Sequence, residues 1–217
     1  NATAEPYLAA VAFETTVQAP ASAASASIYS NFDPAKDTIN GTASPATFTV
    51  GYRRYTEPVF TSLSEESMVR NCVGGPTDTS TDQSMTSTFQ LDGTNLRCSG
   101  NGDLQPIVGN VANFQVRYLI QDNASTPGDS KVRSVDASGV TNWGQVQAVE
   151  VCLVLYGNEA MDIPSPTSDN PKQGTYTDCD GTAVSMNALT GVRNKRMHIA
   201  FRNTFQLRSQ GLIGSVL

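Results

Sequence analysis

The chain has 217 residues, 16% of them charged, and a net charge of −6. That length suffices for an ordinary domain core, and the acidic balance argues against broad nucleic-acid affinity, which needs a surplus of Lys and Arg. No apolar run approaches the roughly 20 residues of a membrane-spanning helix, and a lone histidine, His198, excludes a multi-histidine metal centre.

In chain order, the first 45 residues are expected to form an irregular lead-in. Residues 5–18 place Leu8, Val11 and Ala12 at helical spacing, but Pro6 and the run Thr15, Thr16, Val17 weaken the pattern. A short helix or an extended segment is expected there, followed by an Ala/Ser-rich linker or surface strand over 19–30 and a loop over 31–45. Alternation begins at Ala46: Ala46, Phe48, Val50 and Tyr52 share one face, and Thr47, Thr49 and Gly51 the other. A loop over 61–84 leads to strands over 86–91 and 96–98, joined by Asp92, Gly93, Thr94 and Asn95, where the Asp-Gly pair predicts a hairpin. Over 111–121, Phe114, Val116, Tyr118 and Ile120 share a face opposite Gln115, Arg117 and Gln121. After a loop over 122–142, residues 146–156 begin by alternating and end apolar on both faces, predicting a central strand covered on both sides. A loop over 158–192 precedes the last strand. Its Met197, Ile199, Phe201, Phe205 and Leu207 are expected to face the core, and its Arg196, His198, Arg202, Thr204, Gln206 and Arg208 to face water. The pattern predicts one domain over 1–217, α+β but mainly β, with an antiparallel core over 46–208 and a tail over 209–217.

The four cysteines, Cys72, Cys98, Cys152 and Cys179, lack the C-x2-C spacing of a zinc ribbon or thioredoxin-like site. Two disulfides, and hence an oxidising compartment, are the better reading. Of three connectivities, Cys72–Cys98 with Cys152–Cys179 is preferred, because each closes a loop rich in turn residues. Three N-x-S/T sequons, at Asn1, Asn40 and Asn123, are about the number that chance provides in a chain this rich in Asn, Ser and Thr.

No nucleophile elbow, P-loop, dinucleotide-binding glycine pattern or zincin motif occurs, so no catalytic residue, cofactor or metal is expected. A Ser-His-Asp triad would have to use His198, whose arginine neighbours disfavour the imidazolium that general-base work requires. It reads as a solvent-facing strand histidine. The acidic stretches over 122–129 and 178–181 cluster oxygen ligands without the order of an EF-hand, and read as ordinary turns. Positive charge concentrates at Arg193, Lys195, Arg196, Arg202 and Arg208, of which Arg196, Arg202 and Arg208 form a candidate partner surface.

Three stretches carry a family resemblance. The first is Asn71-Cys-Val-Gly-Gly75 followed by Ser87-Thr-Phe-Gln-Leu91 and Leu96-Arg-Cys98; the second is Leu104-Gln-Pro-Ile-Val-Gly-Asn-Val-Ala-Asn-Phe-Gln-Val-Arg-Tyr118. The third pairs Trp143-Gly-Gln-Val-Gln-Ala-Val-Glu-Val-Cys-Leu-Val-Leu155 with Lys195-Arg-Met-His-Ile-Ala-Phe-Arg-Asn-Thr-Phe-Gln-Leu-Arg208. Together, over roughly residues 46–208, they resemble the PilW-type minor pilins of bacterial type IV pili. The resemblance implies a pilin-like globular domain of antiparallel sheets packed on the C-terminal half of a long N-terminal helix. The other half of that helix is apolar in the family, anchoring the protein in the inner membrane before assembly and lying in the pilus core afterwards. Neither that helix nor a prepilin cleavage signal is in this sequence, so the chain is expected to be a soluble head cut after the helix.

The implied role is non-enzymatic: a minor pilin of the tip complex that primes pilus assembly, with adhesion secondary. Implied partners are other minor pilins, the major pilin and a tip adhesin, with no nucleic acid and with membrane contact only through the helix. The implied location is the inner membrane and periplasm before assembly and the extracellular pilus tip after it. The nearest alternative is a J-type pseudopilin of a type II secretion system. A different class, a secreted adhesin or carbohydrate-binding module, would stack sugars on Tyr29, Tyr52, Tyr55 or Trp143.

Overall fold

A computed structural model describes residues 37–54, 56–58, 65–80, 82, 84–122 and 131–207. The expected short helix over 5–18, the linker over 19–30 and the tail over 209–217 lie outside the described residues. In chain order the strands are β1 (Ile39–Ala43), β2 (Ala46–Arg53), β3 (Thr56–Pro58), β4 (Glu65–Ser67), β5 (Ser84–Asp92), β6 (Asn95–Gly100), β7 (Asp103–Val108) and β8 (Val111–Asp122). They continue with β9 (Lys131–Val135), β10 (Val146–Ala160), β11 (Thr175–Thr177), β12 (Ala183–Ser185) and β13 (Arg196–Gln206). The fold is mainly antiparallel β, with short 3-10 turns such as Trp143–Gln145 and Met186–Ala188 between strands.

Two larger sheets carry the molecule, one ordered β1-β2-β5-β6-β7 and the other β13-β10-β8-β9, with two-stranded ribbons β3-β4 and β11-β12 beside them. The predicted hairpin forms as β5-β6, with Asp92 opposite Asn95 and Gly93 at φ +60°, a conformation that costs glycine little. The alternation at 46–52 and 111–121 becomes β2 and β8, whose apolar faces meet. Phe48, Phe89, Leu91 and Leu96 of the first sheet pack with Phe114, Val116, Tyr118, Ile120 and Val149 of the second. Phe48 and Phe89 are stacked with centroids 6.1 Å apart, and Trp143 meets Tyr118 edge-on at 4.9 Å, closing this core as a plug.

As the sequence predicted, β10 is central and covered on both sides. Val149, Val151, Leu153 and Leu155 pack toward the first core. Cys152 and Val154 face a second cluster formed with Ile163, Tyr176, Cys179 and Met186. Those last four come from residues 161–195, a flap laid over the back of the second sheet. The disulfides are Cys72–Cys98, with Cα atoms 6.3 Å apart, and Cys152–Cys179, at 5.7 Å. The preferred connectivity is therefore the one present, and each bond ties a long loop to a sheet strand.

The expected loops need correction, the one over 61–84 included, which holds β4. Residues 31–45 were expected to be loop, yet β1 pairs in full with β2, from Ile39 opposite Val50 to Ala43 opposite Ala46. Only Ile39 of β1 is a large apolar residue, so the strand has no apolar alternation to announce it. The same holds for β9, whose residues are mostly exposed, and for the three-residue strands β11 and β12 inside the expected 158–192 loop.

Candidate docking face

The last strand keeps its apolar residues on one face as expected, but that face is exposed over most of its length instead of buried. Ile199 is 53% exposed and Phe201 and Phe205 are each 54% exposed, whereas His198 is only 3% exposed. The cause is the position of β13 at the edge of its sheet. The first sheet packs over β8, and its cover does not extend to β13; the flap covers the opposite face at His198. Of the five apolar residues only Leu207 packs against the first core as expected, while Arg202, Thr204 and Gln206 are exposed as expected.

Register shows what the exposed residues belong to. Ile199 pairs with Leu155, Phe201 with Leu153 and Phe205 with Val149, and directly opposed residues project to the same side of a sheet. The stripe is thus the first core continued outward past its cover, broken by Asn203 opposite Val151. Met197, 42% exposed, extends it at the near end. Three large apolar side chains in a row on one edge strand are more than scattered surface residues, and mark a surface that awaits cover.

The other face of β13 is tied down internally. Arg202 donates to the Cys179 carbonyl at 2.6 Å and pairs with Glu150 at 3.4 Å, pinning the flap. Arg196 donates to the Gly157 carbonyl at 3.0 Å and lies over the Tyr156 ring, 5.8 Å from its centroid. Arg193 and Lys195 sit in the turn leading into the strand; Arg208 lies outside the described residues. Of the candidate partner surface, both described arginines therefore have structural duties.

His198 also requires correction: it is buried, not solvent-facing. Its Nδ1 meets the Arg196 carbonyl at 2.8 Å and its Nε2 has no described hydrogen-bond partner, so neither nitrogen is engaged in a triad. Burial pulls the imidazole below its ordinary value, against the raising effect of the Arg196 carbonyl.

The acidic stretch at 178–181 is a turn. Asp178 accepts from Asn113 Nδ2 at 2.7 Å and from the Cys179 N–H, and Asp180 accepts from the backbone and hydroxyl of Thr182. Residues 123–129 of the other acidic stretch lie outside the described residues, as do Tyr29 and Tyr55. Among the described residues no group of three or more His, Cys, Asp or Glu is placed to hold a metal, and no helix is long and apolar enough to cross a membrane. The functional feature that sequence reasoning assigned to the core is the stripe. Its alternation was visible, but an apolar face awaiting cover reads the same as one facing a core.

Comparison with known proteins adds family identity to this geometry. No curated protein matches the chain. Among solved structures it is similar to a type IV-like pilin from Thermus thermophilus, at 15% identity and a TM-score of 0.38, over 80% of this chain and 84% of that one. The profile of the PilW family, described as type IV pilus-assembly protein W, matches residues 69–209, from the loop before Cys72 to just past β13. With about two thirds of its length matched, the chain belongs to the PilW family of type IV pilus-assembly proteins.

Proposed function

We propose that the chain is a minor pilin that works by docking, as part of the tip complex that primes pilus growth, with adhesion a secondary role. Its partners on this reading are other minor pilins, the major pilin and a tip adhesin. It passes from the inner membrane and periplasm to the pilus tip. The observation that carries the reading is the apolar stripe of Ile199, Phe201 and Phe205, and its occupant is an apolar helix of the kind pilins carry at their N-terminus.

A magnitude narrows how that helix is supplied. Fully burying such a side chain stabilises by about 1.5–3 kcal/mol, so three side chains already half buried retain roughly 2–5 kcal/mol between them. Bringing two free molecules together costs about 4–15 kcal/mol. The stripe alone therefore does not hold a free partner tightly. It holds one that is tethered at high effective concentration, or one that brings further contacts.

The test uses the full-length protein in its host, with Ile199→Asp and Phe201→Asp together. Piliation and co-purification with the minor pilins should be lost while the isolated domain stays folded. Unchanged piliation and co-purification would overturn the reading. Co-purification with secretion pseudopilins instead would replace it with the J-type assignment. Charge reversal at Arg202 and Arg208 forms a second arm: lost partner binding with the fold retained would add those arginines to the interface, and unchanged binding would remove them.

A further inference from the structure

The back of β13 carries a feature that docking does not use. The His198 ring is stacked on Tyr176, with centroids 4.7 Å apart and planes 13° apart, and tilted against Tyr156 at 5.7 Å. Its backbone N–H reaches the Met186 sulfur at 3.3 Å. Tyr176 and Met186 belong to the flap, so this histidine is a point where the flap rests on the strand, beside the Arg202 contact to Cys179.

The tautomer follows from the contacts. A carbonyl oxygen only accepts, so the Nδ1 facing the Arg196 carbonyl at 2.8 Å carries the hydrogen, and Nε2 holds the bare lone pair. Nε2 is enclosed and has no described partner. Acidification must therefore add a proton at the one ring atom with nothing to receive the new N–H. A buried cation with an unsatisfied donor is costly, and admitting water is the available relief.

The surrounding charges do not supply that relief. Tyr156 faces the ring from β10, Tyr176 from β11, Asp178 from the turn after it, Arg193 from the turn before β13, and Arg196 from β13 itself. Asp178 favours the imidazolium and Arg193 opposes it. The Asp178 carboxylate is already held by Asn113 and the Cys179 N–H. Arg196 is directed at Gly157 and the Tyr156 ring.

We propose that His198 is an acid-triggered latch: its protonation releases residues 161–195 from β13 and exposes Tyr176 and Met186, while the two-sheet body stays folded. The flap yields first because its own strands are three residues long and its apolar cluster is small. The Cys152–Cys179 bond keeps the released segment attached, so the opening is local and reversible.

The chain has one histidine, which makes the test unambiguous. Proton NMR follows the imidazole, and hydrogen exchange, corrected for intrinsic rates, follows residues 172–190 and β8 from about pH 7.5 to 4.5. We expect the imidazole midpoint to lie below the ordinary 6.5. Flap protection should fall about tenfold per pH unit below that ordinary value, until the imidazole itself titrates, with β8 remaining the better protected of the two throughout. In His198→Phe, which keeps an aromatic ring in the stack, the pH dependence should vanish. Flat flap protection, an equal slope in His198→Phe, or a midpoint at 6.5 or above would overturn the latch. If that variant fails to fold, the two measurements on the unaltered protein still decide.

Discussion

Two polar side chains and one glycine organise the loop that Cys72 pins to the first sheet. The buried Arg54 donates to the Ser67 hydroxyl and to the carbonyls of Thr77, Asp78, Ser80 and Asp82, so one guanidinium gathers acceptors from five residues of the loop. Lysine has three donors on a point charge and cannot reproduce that fan. Arg54→Lys should cost about 1–3 kcal/mol in urea denaturation and speed amide exchange over 65–80 before exchange elsewhere. Asn71 works nearby, its Oδ1 accepting from the N–H groups of Val73 and Gly75 and its Nδ2 donating to Asn101 Oδ1. A Cβ at Gly100 would lie 2.5 Å from Asn71 Cγ, and Asn71 cannot move away without breaking those bonds. Gly100→Ala and Asn71→Ala should each cost about 1–3 kcal/mol. The double variant should cost less than their sum by at least about 0.5 kcal/mol, because the clash needs both side chains. Strict additivity in a double-mutant cycle would refute this packing account.

At the scale of elements, β8 and β13 make a controlled comparison, since Phe114 and Phe201 both lie opposite Leu153 of β10 and differ chiefly in cover. Phe114→Ala on the covered side should cost about 3–5 kcal/mol, whereas Phe201→Ser on the stripe should cost the isolated domain only about 1 kcal/mol, the share its half-buried ring already contributes. A large loss at Phe201 would mean that the stripe is core after all. Replacing Cys152 and Cys179 together by Ala should cost about 3–4 kcal/mol and loosen the flap more than β8. How much of this was legible in the sequence depended on the apolar content of each strand. Phe114 to Ile120, Ala46 to Tyr52 and the double-faced run at 146–156 announced β8, β2 and β10 because burial dictates their side chains. Strands β1, β9, β11 and β12 are held by backbone pairing more than by burial, and pairing partners leave no local pattern. His198 was misplaced for a related reason: a histidine among arginines reads as wet, and the flap that covers it comes from a segment without periodicity.

For the molecule as a whole, acid should act in two separate windows. His198 is held below its ordinary 6.5 by burial, so the unfolded chain binds the proton more readily and stability drains away as pH falls from that value. Asp78, Asp136 and Asp180 are held below their ordinary 3.8, chiefly by the Ser67 N–H, the Ser138 hydroxyl and the Thr182 hydroxyl respectively. Their contribution is present above that value and goes as pH drops through their lowered ones. Thermal melts should therefore show a decline between about pH 6.5 and 5 that His198→Phe removes, and a second decline below about pH 4 that it leaves in place. A single decline confined to the lower range would refute the histidine's share. The bare flank of β13 has one more consequence, for handling. No described strand pairs with its outer edge, so a row of amide groups beside Phe201 and Phe205 is a template for zippering one molecule onto its twin. Arg196 and Arg202 are the gatekeepers there, repelling a like copy, and electrolyte screens that repulsion. Concentrated stocks of the bare domain should thus turn cloudy in strong brine and stay clear in dilute buffer, and covering the flank should abolish the difference.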